Sequence, residues 1–154
     1  MNPHSESAGF IFHHVGMAVS DVDASTRALA VLGFSPDPMM PDALEEQYGV
    51  RLRFLTCAKL RPMLELVAPT RTDSAVSDLL IQRGVGLYHS CFEVPSLHAA
   101  IETLARNGFR RVGQALRATA FRGRQIQFLH HPAAGLIELL EAEPLPSRTN
   151  DARP

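Results

Sequence analysis

The sequence lacks the features that mark secreted, membrane-spanning and disulfide-stabilised proteins. Only 2 of its 154 residues are cysteine, which suits a reducing compartment better than a disulfide scaffold. It contains no run of about 18 apolar residues, so no transmembrane helix is expected. The opening residues, MNPHSESAG, are polar and lack the basic and apolar parts of a secretory signal. We therefore expect a cytoplasmic protein that has no membrane partner.

Lysine is almost absent as well. The chain has the single lysine Lys59 against 14 arginines, and its formal net charge of −1 argues against a nucleic-acid-binding protein. A group of arginines lies between residues 106 and 124. A solvated face would explain this group, but guanidinium groups also match the geometry of carboxylates and phosphates. Three arginines on or just before one predicted strand are therefore predicted to bind the substrate: Arg117, Arg122 and Arg124.

What the sequence does contain is an internal repeat. The segment HVGMAVSDVDASTRALAVLGF, which starts at His14, aligns without a gap with HSCFEVPSLHAAIETLARNGF, which starts at His89. Identical residues include the two histidines at the start and the Gly-Phe pair at the end, and most other apolar positions stay apolar. Two copies of a period this long indicate one duplicated supersecondary module and not a solenoid.

Both copies follow the same order of predicted elements. An apolar strand, at 11–19 or 87–94, leads to a capped helix that ends at Gly33 or Gly108, and further strands follow. The pattern predicts one α+β domain made of two modules, each a strand, a helix and about three further strands. The proline-rich stretch between residues 36 and 48 is expected to be a loop with one helical turn. The predicted boundaries are a flexible N-terminus at 1–10, a domain at 11–142 (module one 11–69, linker helix 70–84, module two 85–142) and a flexible tail at 143–154.

Strand periodicity separates the adjacent histidines of the first strand. Neighbouring residues on a strand point to opposite faces, so His13 is expected on the face that packs against the helix, with Val15 and Met17. His14 is expected on the opposite face, which carries only small neighbours. The repeat places His89 at the position equivalent to His14.

Two later strands each carry one carboxylate in an apolar run, Glu65 in MLELVAP and Glu138 in GLIELLE. A buried, unpaired carboxylate costs several kcal/mol, so each needs a partner. Taken singly, such residues are often satisfied core histidines or glutamates on a solvated face. Recurrence in both halves favours a divalent metal site of two His and two Glu, for which Zn, Ni, Co or Mn are suitable ions.

The stretches HHVGMAVSDVDAS, GLYHSCFEVPSL and GLIELLE resemble the signatures of the vicinal oxygen chelate (glyoxalase/bleomycin resistance/dioxygenase-like) superfamily, and most closely those of methylmalonyl-CoA epimerases. The resemblance implies two βαβββ modules whose curved mixed sheet forms a cup around a metal. It also implies a small-molecule substrate, for which an acyl-CoA is expected, and a homodimer. The metal ligands that it implies are His14, Glu65, His89 and Glu138.

The implied reaction is epimerisation or isomerisation by removal of a proton next to a carbonyl, with a metal as Lewis acid. Glu138 or Glu65 is expected to act as the base, and Glu46 or its neighbour Glu45 is a candidate from the preceding loop. Two departures keep other functions open: epimerases commonly have glutamine in place of Glu65, and some carry an acid where this chain has Leu52. The alternatives are a lactoylglutathione lyase (glyoxalase I)-like enzyme, a biosynthetic tailoring enzyme and a small-molecule-binding protein.

Overall fold

The computed structural model describes residues 9–58 and 60–143. The predicted flexible ends, 1–10 and 143–154, fall almost entirely outside these residues. Within the described ranges the chain forms nine strands and three helices. The strands are β1 (Ile11–Ala18), β2 (Ser35–Pro36), β3 (Ala43–Glu45), β4 (Val50–Cys57), β5 (Leu60–Pro69), β6 (Gly86–Val94), β7 (Arg110–Ala118), β8 (Arg124–His131) and β9 (Gly135–Glu141). The helices are α1 (Val22–Ala30), α2 (Ala75–Arg83) and α3 (Leu97–Arg106), and a 3₁₀ turn spans Thr119–Phe121.

The strands form one mixed sheet, and the two modules lie side by side in it with equivalent strands in equivalent places. The order is β2-β4-β5-β1-β6-β9-β8-β7, with β3 paired to β4. The first strands of the modules, β1 and β6, pair antiparallel at the centre, and each pairs in parallel with the last strand of its own module, β5 or β9. The predicted α+β arrangement of two βαβββ modules is confirmed by this order.

The helices begin and end where local sequence specifies. Asp21 caps α1 by accepting a hydrogen bond from the backbone N–H of Ala24, and Ser96 caps α3 in the same way. After the two helices the chain turns through Gly33 and Gly108 with φ of 90° and 87°, a conformation that glycine adopts without strain. The duplicated modules therefore share their helix start and stop signals.

The helix-facing side of the sheet carries the apolar residues that alternate with the predicted site residues. Leu64 and Leu66 of β5 pack with Val22 of α1, and Leu139 of β9 packs with Leu97 and other residues of α3. Because side chains alternate along a strand, this packing directs the intervening carboxylates to the other face of the sheet.

The proline-rich stretch between residues 36 and 48 is not entirely the loop that its composition predicts. Residues Ala43–Glu45 form β3, which pairs antiparallel with β4 in the register Ala43↔Leu52 and Glu45↔Val50. The ladder satisfies backbone groups that a loop would leave to water, and the two strands form a hairpin across residues 46–49. No helix in the described part of the chain is long and apolar enough to cross a membrane.

Candidate metal centre

The four predicted ligands come together on four adjacent strands at the centre of the sheet. His14 lies on β1, Glu65 on β5, His89 on β6 and Glu138 on β9, and the order of these strands in the sheet is β5-β1-β6-β9. Gly16 of β1 is the register partner of both Glu65 and His89, so the two modules meet at this point. Each module supplies one imidazole and one carboxylate.

Four atoms of these side chains form a compact set. His14 Nε2 lies 3.3 Å from Glu65 Oε2, 3.3 Å from Glu138 Oε2 and 3.2 Å from His89 Nε2. His89 Nε2 lies 3.4 Å from Glu65 Oε2 and 3.5 Å from Glu138 Oε2. All four side chains are buried, with His14 0% exposed and His89, the most exposed, at 6%.

These distances suit one divalent cation. Four nitrogen and oxygen ligands bound tetrahedrally at about 2.0–2.2 Å stand roughly 3.3–3.6 Å from one another. Apart from these contacts with the two imidazoles, Glu138 Oε2 has no hydrogen-bond partner among the described residues, and a buried carboxylate oxygen without full compensation is costly. The donor set therefore fits a metal ion, and the four residues form a group that could hold one.

The electrostatics of the group reflect two carboxylates and two imidazoles in a buried space. Burial lowers the pKa of His14, but the negative charge of Glu65 and hydrogen bonds to both carboxylates outweigh it and raise this pKa to about 9. The pKa of His89 is raised for the same reason. Burial raises the pKa values of Glu65 and Glu138, but the two histidines hold both below their usual range. Without a cation the group therefore favours imidazolium ions beside carboxylates.

The position of His13 differs from the prediction. The register of β1 against β6 shifts between Phe12 and His14, a bulge that places one extra residue on β1. As a result His13 lies on the same side as His14: its Nδ1 is 2.9 Å from Nδ1 of His14, and its ring meets Phe121 edge-on at 5.6 Å. The expectation that His13 faces the helix is wrong, because strand parity does not hold across a bulge.

Gly16 is required by the position of His89. A Cβ atom at Gly16 would lie 1.9 Å from Cε1 and 2.2 Å from Nδ1 of His89. The imidazole therefore lies directly against the backbone of β1, where only glycine leaves room for it.

Comparison with known proteins identifies the family of this chain. Residues 13–128 match the family model described as Glyoxalase/Bleomycin resistance protein/Dioxygenase superfamily. The chain belongs to this superfamily. Mitochondrial methylmalonyl-CoA epimerase of Mus musculus is 29% identical over 134 residues, which are 84% of this chain and 72% of that protein. Ethylmalonyl-CoA/methylmalonyl-CoA epimerase of Cereibacter sphaeroides is 27% identical over 77% of this chain and 86% of its own length.

Solved structures of the superfamily agree with these sequence relatives. Methylmalonyl-CoA epimerase from Mycobacterium tuberculosis superposes with a TM-score of 0.75 at 30% identity, over 94% of each chain. A Streptomyces coelicolor methylmalonyl-CoA epimerase variant in complex with 2-nitronate-propionyl-CoA superposes with a TM-score of 0.72 at 30% identity, over 86% of this chain and 97% of that one. The predicted resemblance to the superfamily and to its epimerases is confirmed.

A cavity of about 360 Å³ opens beside the ligand group. Glu65, His89 and Glu138 lie in its wall, and Arg71 and Ser74 contribute polar groups where α2 begins. The cavity can thus hold a small molecule with one end near the ligand group. The rest of its lining is mainly apolar and includes Val50, Leu52, Val67, Phe121, Ile126 and Phe128.

The two glutamates of the β3 segment have different environments. Glu45 is 5% exposed and lines the cavity, and its Oε1 accepts a hydrogen bond of 2.8 Å from the backbone N–H of Ala120. Glu46 is exposed and is not part of the cavity wall. Of the two candidates that the sequence offers, the fold therefore brings Glu45 and not Glu46 to the cavity. The alternation of side chains along β3 could have distinguished Glu45 from Glu46. The proline-rich composition of the segment, however, predicts a loop and not a strand.

The structure does not bring the three predicted substrate-binding arginines to this cavity. Arg117, Arg122 and Arg124 line a separate, open groove together with Glu141. Arg124 donates to Glu93 Oε2 at 2.7 Å. The substrate-binding role of the three arginines stays a prediction. A test of that role would ask whether the substrate binds in this groove.

Proposed function

We propose that this chain is a metal-dependent epimerase or isomerase that removes a proton next to the carbonyl of an acyl thioester, as methylmalonyl-CoA epimerase does. The observation that carries the proposal is the convergence of two buried histidines and two buried glutamates beside one largely apolar cavity. Relatives at 27–30% identity that are methylmalonyl-CoA epimerases support it. The predicted homodimer and cytoplasmic location remain predictions.

In this proposal His14, Glu65, His89 and Glu138 hold a divalent cation. Such a cation would supply Lewis acidity towards a carbonyl oxygen, which would make the adjacent C–H more acidic. The protein supplies a buried and largely apolar setting, where electrostatic interactions are stronger than in water. The apolar wall also limits the access of water to the reacting carbon.

The reaction further needs a base within reach of the substrate. Glu138 and Glu65 are candidates within the ligand group. Glu45 is a third, because it is a buried carboxylate in the same cavity and is not a member of that group. The hydrogen bond from Ala120 to Oε1 fixes the orientation of this carboxylate. Some epimerases carry an acid at the position of Leu52 on β4, but leucine cannot act as a base. We therefore assign the additional base to Glu45 on the neighbouring strand β3.

The deciding experiment measures exchange at the α carbon. Metal-loaded protein is incubated with methylmalonyl-CoA in deuterated water, and deuterium incorporation is followed by mass spectrometry or NMR. We expect catalysed exchange that is lost in His14→Ala and Glu138→Ala. The exposed histidine His98, replaced by Ala, is the matched control and should keep full exchange. Absence of exchange in the metal-loaded wild-type protein would contradict an epimerase acting on this substrate.

One observation favours a second candidate, a lactoylglutathione lyase-like enzyme. Glu65 stands where epimerases commonly have glutamine, and bacterial glyoxalase I enzymes resemble this chain in having glutamate there. The same protein preparation is therefore assayed with the hemithioacetal of methylglyoxal and glutathione. Turnover there without α-carbon exchange in methylmalonyl-CoA would favour the lyase. If neither occurs, a tailoring or small-molecule-binding function replaces both.

A further inference from the structure

The bulge in β1 brings His13 to the side of the sheet that carries the ligand group. In a regular strand His13 would point to the opposite face. His13 is half-buried, and its Nδ1 lies 2.9 Å from Nδ1 of His14, on the side of that ring away from the other three ligands. Its ring stands perpendicular to that of Phe121, with the two centroids 5.6 Å apart, and Phe121 belongs to the buried core on this side of the sheet. His13 is therefore held by packing as well as by its polar contact.

The short contact restricts the protons on both rings. His14 directs Nε2 towards the two carboxylates and His89, so a bond to a cation there requires the lone pair of Nε2 and leaves the proton of the neutral ring on Nδ1. That Nδ1–H then donates to Nδ1 of His13, which must be the unprotonated nitrogen of its ring. The proton of His13 consequently lies on Nε2.

We propose that His13 is a positioning residue, which accepts the Nδ1–H of His14 and so fixes the orientation and tautomer of that ligand. The inference rests on the proposed metal-dependent function. Metal-bound histidines generally donate their second ring N–H to a protein acceptor, and loss of that acceptor typically costs about 10- to 100-fold in metal affinity. In this chain the acceptor is an imidazole from the adjacent residue.

The second module supports its ligand differently. The residue equivalent to His13 is Tyr88, whose ring meets His89 edge-on at 4.5 Å between centroids. Nδ1 of His89 has no hydrogen-bond partner among the described residues, and its ring rests against Gly16. The duplicated ligands are thus oriented by a hydrogen bond in module one and by packing in module two. The role proposed for His13 therefore has no counterpart in the second module.

The test compares two replacements of His13. His13→Asn keeps an acceptor oxygen near the position of Nδ1, whereas His13→Phe keeps an aromatic ring against Phe121 and removes the acceptor. His98→Asn, at an exposed position on α3, controls for the loss of a histidine. Affinity for Zn²⁺ is measured by competition with a chromophoric chelator, and thermal unfolding of the metal-free variants reports their folding.

We expect His13→Phe to bind Zn²⁺ about 10- to 100-fold more weakly than the wild type. His13→Asn and His98→Asn should stay within about threefold of the wild type, since neither removes the acceptor. Wild-type affinity in His13→Phe would overturn the proposal, and so would an equal loss in His13→Phe and His13→Asn, because packing alone would then account for it.

A measurement on the unmutated protein covers the case in which a variant does not fold. Two-bond ¹H–¹⁵N spectra of the Zn²⁺-loaded wild type should show His14 protonated on Nδ1 and His13 protonated on Nε2. A proton on Nδ1 of His13 would overturn the proposal. If the wild type binds no stoichiometric Zn²⁺, the proposed metal-dependent function fails first and the role of His13 fails with it, a result distinct from a loss confined to His13→Phe.

Discussion

Replacement of Gly16 by alanine should displace His89 and thereby break the ligand group. The added Cβ would lie 1.9 Å from Cε1 of His89, whereas carbon atoms rest at about 3.5 Å from each other. The imidazole has to move by about 1.5 Å to relieve this overlap. The cavity that His89 lines gives the ring space into which it can turn, so we expect the fold to survive.

Two effects of the Gly16→Ala substitution oppose each other. Alanine in a strand is favoured over glycine by about 0.5–1 kcal/mol, which would stabilise β1. A metal site, however, requires its ligands within about 0.2 Å of their ideal distances, and the displacement of His89 is several times larger. We therefore expect metal affinity to fall by at least about 100-fold, or roughly 2.7 kcal/mol, while the unfolding temperature of the metal-free protein changes little.

The assay is competition for Zn²⁺ with a chromophoric chelator, with circular dichroism as the check on folding. Gly86→Ala is the matched control, because Gly86 also lies on a strand and a Cβ there would meet nothing within 4 Å. Wild-type Zn²⁺ affinity in Gly16→Ala would refute the reasoning, since His89 would then be either mobile enough to return or not a ligand.

Three further predictions follow from the environments of single side chains. Since the folded pKa of His14, about 9, lies above the unfolded value of about 6.5, its stabilisation of the metal-free protein is complete below pH 6.5 and is lost as the pH rises to 9. In urea titrations the free energy of unfolding should fall by roughly 3 kcal/mol over this range, and a flat profile would contradict the reasoning. Added Zn²⁺ should stabilise the protein most at the high end of the range, because the ion competes with protons for the ligands. Glu45→Gln should lower kcat for α-carbon exchange by about 10²- to 10⁴-fold without changing Zn²⁺ affinity, whereas Glu46→Gln at its exposed position should change neither; equal losses in the two variants would count against Glu45 as the base. Leu66→Ala, at a fully buried position, should cost about 2–5 kcal/mol of unfolding free energy in urea titrations, and a loss below 1 kcal/mol would show that β5 does not pack as described.

The sequence by itself determined the modules and the ligand group. Duplication keeps equivalent residues at equivalent places, so the repeat of His14 as His89, with one glutamate in the last strand of each half, specified which four side chains would meet. The two-residue period of a strand placed each of these carboxylates opposite its leucine neighbours, and the packing of Leu66 and Leu139 against the helices agrees with that assignment. These features are periodic, and periodicity can be read from a sequence.

Tertiary structure alone decided which neighbours of the group take part. A bulge adds one residue to a strand and reverses the parity of what precedes it, so the side that His13 faces depended on the pairing of β1 with β6. Glu45 became a cavity residue because β3 pairs with β4, a contact that nothing in its proline-rich surroundings indicates. The structure also places Arg117, Arg122 and Arg124 in a groove apart from the cavity. Their positions along the chain do not reveal this separation. Local patterns specify which residues alternate, whereas bulges and strand pairing are settled by hydrogen bonds to a second strand, which is distant in sequence for β1 and adjacent for β3.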